Sequence, residues 1–443
     1  MASVLPPTTA PKDDYAGDEI NALVLDPGSH TTRAGFAGED TPKSVVPTHY
    51  GLLSSGARVY GENAIHRPSG GLEIRNPYDS DGLVEDWETA SRLWQYSITS
   101  RLTVPARSDW RGAKMEAKDV SGDVDMEAQM EATDEAQERP LAEYPLLMSE
   151  PGWNPTKARE RTMEIAMEEW GVPAFFLAKT GQLAAYANGK ATAIVVDVGH
   201  YNTSVTAVWE GMVLRKSITK SPLAGAFLNT QLRTMFASLT PPCPLTPHYL
   251  IASKHPVDAL APPNFTPATF ATPPTPSFRA LEEDRILTAF KESVVQCWQG
   301  PGRLEHNLDA VKYTPARPFE FPCGFNMAFG LERYKPDDTL PSLLHRALAT
   351  CDPETRPHLL ANIILTGASS LLPHLAERLQ ADLQTLYPNP RVRVLAATGT
   401  VERKFGAWVG GSVLGSLGTF GQMWVSREEY EEFGAGVVGR RCK

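Results

Sequence analysis

Cysteine is scarce in this chain: five among 443 residues, at Cys243, Cys297, Cys323, Cys351 and Cys442. None form a C-x-x-C pair, and no Cys/His cluster has zinc spacing, which excludes a zinc-finger reading. An odd, scattered set fits a reducing compartment. Long apolar runs are also missing, so no segment reads as crossing a bilayer. No apolar stretch follows Met1 to act as a secretory leader. The expected compartment is therefore cytoplasmic or nuclear, with no membrane partner. Positive charge is in deficit, with 42 Lys and Arg against 52 Asp and Glu, a formal net charge of −10. Coating nucleic acid needs a basic face, so that is excluded as the chain's main role. The sequence contains no Walker A motif, no G-x-S-x-G elbow and no H-E-x-x-H. A P-loop enzyme, an elbow-type serine hydrolase and a zincin are thereby excluded.

What is present is ordinary soluble composition, 42% hydrophobic and 21% charged. The length suits two or more lobes, each with a sizeable core. Residues 1–18 are rich in Pro, Thr and Asp and read as disordered. Asp86 opens a predicted helix, DWETASRLWQYSI, as its N-cap. From about 106 to 143 the chain is acidic, poor in aromatics and aperiodic, an inserted and mostly disordered loop. Composition does not separate a solvated spacer from a binding tail there. The run NPTKARERTMEIAMEEWG predicts a helix with Asn154 as N-cap, Pro155 at N1 and Gly171 as its stop. A Pro-rich stretch at about 241–276 forbids a long helix or a central strand. EEDRILTAFKESVVQCWQ then predicts an amphipathic helix, and so does PHLAERLQADLQTLYP.

The most informative feature is a repeat. Residues 22–38 read ALVLDPGSHTTRAGFAG, and residues 193–211 read AIVVDVGHYNTSVTAVWEG. In each, four apolar residues precede an aspartate, then x-Gly, small polar residues and a return strand closed by glycine. A buried strand of this kind delivers its carboxylate to the mouth of a sheet. The tight turn after it exposes backbone N–H groups, and glycine lets a phosphate approach them. Two facing hairpins would grip a polyphosphate, and the two aspartates would hold a hydrated divalent cation. A third element, NIILTGASSLLPHLAERL, reads as strand, turn and helix, a junction whose amides suit a nucleotide. The G-x-G-x-x-G at Gly434–Gly439 follows SREEYEEF instead of a strand, so it is not read as a dinucleotide site.

The C-terminal run VERKFGAWVGGSVLGSLGTFGQMWVSREEYEEFG resembles the actin family closely, as does RAGFAGED near the start. The two hairpins and LTGASS follow the order of that family's phosphate and adenosine loops. The resemblance covers about residues 20–443, interrupted by the acidic and Pro-rich stretches. PAFFLAKT, LIASKHPV and TVERKFGAW resemble the nuclear actin-related class of chromatin remodellers and histone acetyltransferase complexes. The implied fold is α/β and two-lobed, the type shared by actin, chaperones and sugar kinases, with a nucleotide cleft between the lobes. Residues 19–187 would form the first lobe and 188–405 the second, with 406–443 returning to the first.

The same resemblance implies ATP as cofactor, with Mg2+ or Ca2+ held near Asp26 and Asp197. Ser29, His30 and Thr31 fall on the first phosphate loop. Arg33 stands where the family has a lysine reaching the phosphates. Gly199, His200, Tyr201 and Asn202 fall on the second loop. Lys291 and Glu292 match a Lys-Glu pair near the adenosine. Gly367, Ala368 and Ser369 match the loop beneath the nucleotide, and Lys404 a lysine near the adenine.

The departures matter equally. His200 and Tyr201 replace an aspartate and a glycine of the second loop. Thr180 occupies the place of a glutamine that orients the attacking water, and Gln182 lies two residues off register. The segment VVPTHYGLLSSGARVYGENA is shorter than in the family and lacks the loop that enters the next subunit of a filament. Three roles are compatible with the family: an architectural subunit, an active ATPase or phosphotransferase, and a filament former. The departures favour the first, non-enzymatic and nuclear. Its expected partners are nuclear actin and the helicase-SANT-associated helix of a remodeller or acetyltransferase scaffold. Histones or nucleosomes would suit the acidic insertion.

Overall fold

Two six-stranded sheets organise the computed structural model, which describes residues 22–102, 141–300, 304, 309, 315–335 and 339–443. The N-terminal segment read as disordered, and the acidic insertion as far as residue 140, lie outside the described residues. At the end of that insertion, Leu141 is fully buried and its N–H donates to the Trp170 carbonyl. Packed structure therefore resumes slightly earlier than the acidic composition predicts.

Each sheet is built on one copy of the repeat. Strand Leu23–Pro27 pairs antiparallel with Thr31–Phe36 and parallel with Leu146–Glu150, which runs parallel to Ala174–Lys179. Strand Ala193–Val198 pairs antiparallel with Thr203–Trp209 and parallel with Ile363–Thr366, which runs parallel to Val394–Ala396. Both repeat strands are apolar and buried until the aspartate, because each is covered on two faces. Trp94, Trp170 and Trp408 fill the core against the first sheet. Leu344, Leu379 and Leu383 do so against the second, and a Phe cluster of Phe236, Phe290, Phe321 and Phe329 forms a third centre.

The glycine-rich helix Gly406–Gly415 lies against helix Thr180–Ala187. A Cβ on Gly410 would stand 1.8 Å from the Leu183 carbonyl oxygen, so only glycine permits this backbone approach. Trp408 donates its indole N–H to the Val24 carbonyl, tying this helix to the first sheet.

Asp86 caps its helix as expected, accepting from the Thr89 N–H. Asn154 does not cap: Pro155 holds the cap position, the helix begins at Thr156, and Asn154 donates its amide to Glu150. Glu150 is 2% exposed and also accepts from Arg159 and Lys179. A carboxylate so buried requires such donors, and that demand overrides the local capping preference. The helix turns π-helical over Ile165–Glu169 and stops at Gly171, φ +70°. The helix predicted from EEDRILTAFKESVVQCWQ instead spans Pro276–Ser293. Thr275 caps it, and Gln296–Cys297 is a short strand beyond the β-branched pair Val294–Val295. In the Pro-rich stretch, strands Ile251–His255 and Asn264–Pro267 form an isolated two-stranded sheet.

A seam joins segments about 200 residues apart. The Thr275 hydroxyl donates to the Leu72 carbonyl, the Ile74 N–H donates to Ser277, and His66 meets Glu282 at 2.5 Å. Phe278 is fully buried there among Ile65, Leu72 and Ile74. Phe278→Leu is expected to cost ~1–2 kcal/mol in urea unfolding through the space it leaves. No measurable loss would mean that the seam is open in solution.

Candidate functional site

The two hairpin turns are built alike. The Gly28 N–H donates to the Thr31 carbonyl at 3.1 Å, and the Gly199 N–H to the Asn202 carbonyl at 3.0 Å. A Cβ would come within 2.7 Å of the first oxygen and 2.9 Å of the second. That is the physical reason for glycine two residues after each aspartate. Outside groups brace the first turn: Thr48 donates to the Gly28 carbonyl and Asn76 to the Ser29 carbonyl.

Both turns open on one cavity of about 740 Å³. From the first hairpin come Asp26, Ser29, His30, Thr31 and Arg33. From the second come Asp197, Gly199, His200 and Asn202. Lys291 and Glu292 arrive on the helix Pro276–Ser293, Gly367, Ala368 and Ser369 on the turn after strand Ile363–Thr366, and Lys404 from the helical turn Thr400–Lys404. Tyr201 is not in the lining. Its hydroxyl accepts from the Asn76 amide at 3.3 Å and its ring packs on His200, which turns it aside. Sequence reasoning did not single out Trp153, Leu228, Thr288, Val401 and Phe405, which also line the cavity. Phe405 carried a signal, standing directly after Lys404.

Third comes the Gly367 turn. At φ +93°, a side chain there would strike the Asp197 carboxylate and the Val198 carbonyl, both 2.4 Å from its Cβ. Ser369 donates to the Gly199 carbonyl at 2.8 Å, joining this turn to the second hairpin.

Electrostatically the two aspartates differ. Asp26 is 4% exposed and accepts from Arg33 at 2.9 Å and Ser149 at 2.5 Å. Among the described residues no side-chain hydrogen bond engages Asp197. Burial, with Asp26 adding to it and Arg33 opposing, pushes the Asp197 carboxyl up to about 6. Two carboxylates beside one arginine leave negative charge uncompensated, which fits a divalent cation held chiefly at Asp197. Arg33 is thus engaged with Asp26, and its guanidinium also lies 5.4 Å from the Phe405 ring centre. Lys291 bonds to Asn229 at 3.0 Å, and burial lowers its pKa. Lys404 lies 5.5 Å from the Phe405 ring centre.

Thr180 lines the cavity, and Gln182 does not. Gln182 donates its amide to the Gly211 carbonyl at 2.8 Å, on another side of its helix.

Three histidines gather near the hairpin turns. The His30 ring centre lies 4.6 Å from that of His200 and 6.1 Å from that of His49. Burial first, then neighbouring positive groups, lowers His30 and His49 to about 4 and His200 to about 2. His30 still presents its ring to the water of the cavity, whereas His49 is more enclosed. An unfolded chain takes up a histidine proton near pH 6.5, whereas folded His49 refuses it until about 4. Stability is therefore present above pH 6.5 and is lost as pH falls through that window. Asp197 works oppositely between about 4 and 6 and offsets part of this. A net loss of stability between pH 7 and 5, smaller than the His49 contribution alone, is expected, read from urea midpoints at fixed ionic strength. His49→Gln should flatten the slope; an unchanged slope would remove His49 as its source.

The family model described as Actin matches residues 17–340 and 336–443. The chain is similar to Actin-related protein 4 of Emericella nidulans, with 47% identity over 100% of both chains. It is similar to Actin-related protein 4 of Neurospora crassa, with 46% identity over 98% of this chain and 97% of the other. It is also similar to the SWI/SNF and RSC complexes subunit arp42 of Schizosaccharomyces pombe, with 34% identity over 96% of this chain and 100% of the other.

Proposed function

This chain belongs to the actin family, and on that premise we propose that it is a nuclear, architectural actin-related subunit that binds ATP without turning it over. One observation carries the reading: the phosphate-type turns are present in duplicate around one cavity, and Thr180, at the place that the family resemblance gives to a water-orienting glutamine, lines it. ATP with Mg2+ or Ca2+ would lie there, its cation near Asp26 and Asp197, its phosphates on the Ser29–Thr31 and Gly199–Asn202 turns. Lys291, Glu292 and Lys404 would attend the nucleoside end. Bound in this way, the nucleotide is a structural ligand between two sheets.

The partners are proposed on the relatives' names and on the surface. One relative is named as a subunit of the SWI/SNF and RSC complexes. This chain would serve remodeller and histone acetyltransferase complexes in the same manner, paired with nuclear actin on a helicase-SANT-associated scaffold helix. Val413, Leu417 and Met423, all on the C-terminal run, are 43%, 49% and 45% exposed, apolar side chains free to meet the apolar face of such a helix. The acidic insertion would face histones or nucleosomes. Polymerisation is not expected. The segment between strands Tyr50–Leu52 and Arg58–Val59 is only a short turn containing Ser54, Ser55 and Gly56.

The test is sedimentation in magnesium and salt. Alone, the protein should stay in the supernatant; with actin and a scaffold helix it should form a discrete complex. Leu417→Asp should weaken capture of the helix at least tenfold. Pelleting of the protein alone as filaments would refute the reading.

A further inference from the structure

We propose that His30 and His200 together form the terminal-phosphate clamp of the cavity and take up one shared proton when a nucleoside triphosphate binds. The inference rests on the nucleotide reading above and concerns two residues for which that reading gives no charge role.

Charge balance at the hairpin end calls for a further positive group. A triphosphate carries close to four negative charges at neutral pH, and a divalent cation offsets two. Arg33 is already paired with Asp26 at 2.9 Å. Lys291 is bonded to Asn229 and the Gly225 carbonyl. Lys404 lies over the Phe405 ring, 5.5 Å from its centre. Among the lining side chains of the two turns, only the imidazoles can still become positive. His30 belongs to the first turn and His200 to the second, with ring centres 4.6 Å apart and planes tilted by 59°. An anion gripped by both hairpins meets this pair.

The groups facing the pair set its protonation. His49, Arg33, Lys291 and Lys404 act on His30; His30, Lys291 and His49 act on His200. All are cationic or become so, and the enclosure of His200 acts in the same direction, so without an anion both rings favour the neutral form. A terminal phosphate reverses that balance, because an opposite charge within a few ångströms favours the protonated ring. Two imidazolium rings this close repel each other, so the pair captures one proton and not two. A diphosphate lacks the terminal phosphate assigned to the clamp and should draw little of that proton.

The experiment is calorimetric titration of the full, nucleotide-stripped chain with ATP and with ADP in excess magnesium at pH 7. Two buffers of different ionisation heat give the proton count. ATP should take up roughly half to one proton, and its affinity should rise by up to about tenfold per pH unit on acidification. ADP should show little uptake. The His30→Asn/His200→Asn variant should lose the uptake and bring ATP and ADP within about threefold of each other; thermal unfolding of the empty variant checks its fold. ATP binding without proton uptake, or uptake unchanged in the variant, overturns the clamp and leaves the nucleotide site standing. Absence of any ATP binding overturns both.

Discussion

Mixed with labelled ATP and magnesium in a single-turnover experiment, the protein should release almost no phosphate over hours. Hydrolysis requires a water held in line with the terminal phosphorus. Positioning such a nucleophile supplies several orders of magnitude in rate. Thr180 carries a short hydroxyl side chain where the family resemblance places a glutamine. Gln182, the nearby amide, is spent on the Gly211 carbonyl and does not line the cavity. His200 adds an imidazole where that resemblance places a carboxylate. The sharpest probe is Thr180→Gln. Restoring the longer amide should raise the single-turnover rate at least tenfold while leaving affinity within a few-fold. Release by the unmodified protein at actin-like rates would show that another group orients the water.

Stripping the nucleotide should produce the largest loss of stability. A ligand that binds only the folded state stabilises it by about 4 kcal/mol at a thousandfold excess over its dissociation constant. Chelation followed by nucleotide removal should therefore lower the unfolding temperature by several degrees, and ATP with magnesium should restore it. Two substitutions separate the site from the scaffold. Asp26→Ala leaves Arg33 without its partner in a nearly closed setting, with a side chain 14% exposed, so it should destabilise even the empty protein. Asp197→Asn removes a charge that burial disfavours. The raised pKa means that the ionised form is favoured less in the folded chain than in the unfolded one as pH rises through about 6. The empty Asp197→Asn protein should thus be at least as stable as the parent at pH 7, yet gain little from added ATP and magnesium. A full response to the ligand would place the cation elsewhere.

The repeat was legible because its signals are local. Four apolar residues ending in D-x-G mark a buried strand and a turn, and both copies form as read, with the glycine amides closing on Thr31 and Asn202. Fifteen of the sixteen residues named from the sequence line one cavity. Tyr201 escapes because its hydroxyl answers Asn76, 125 residues away, a partner that spacing does not reveal. Asn154 departs from its local signal for the same reason: it is a favoured cap residue, but buried Glu150 claims its amide. The Phe278 seam leaves no periodic trace, since its two sides lie about 200 residues apart. Arg33 shows the limit most clearly. Its charge was read from the sequence, but its commitment to Asp26 is a fact of the strand register, which sets the two residues opposite each other.

Native purification followed by mass spectrometry of the co-purifying chains tests most directly whether the protein is an architectural subunit of a nuclear assembly. Stoichiometric actin together with a remodeller or acetyltransferase scaffold subunit is the expected result. Recovery of the protein alone, or with partners that include neither, would contradict it.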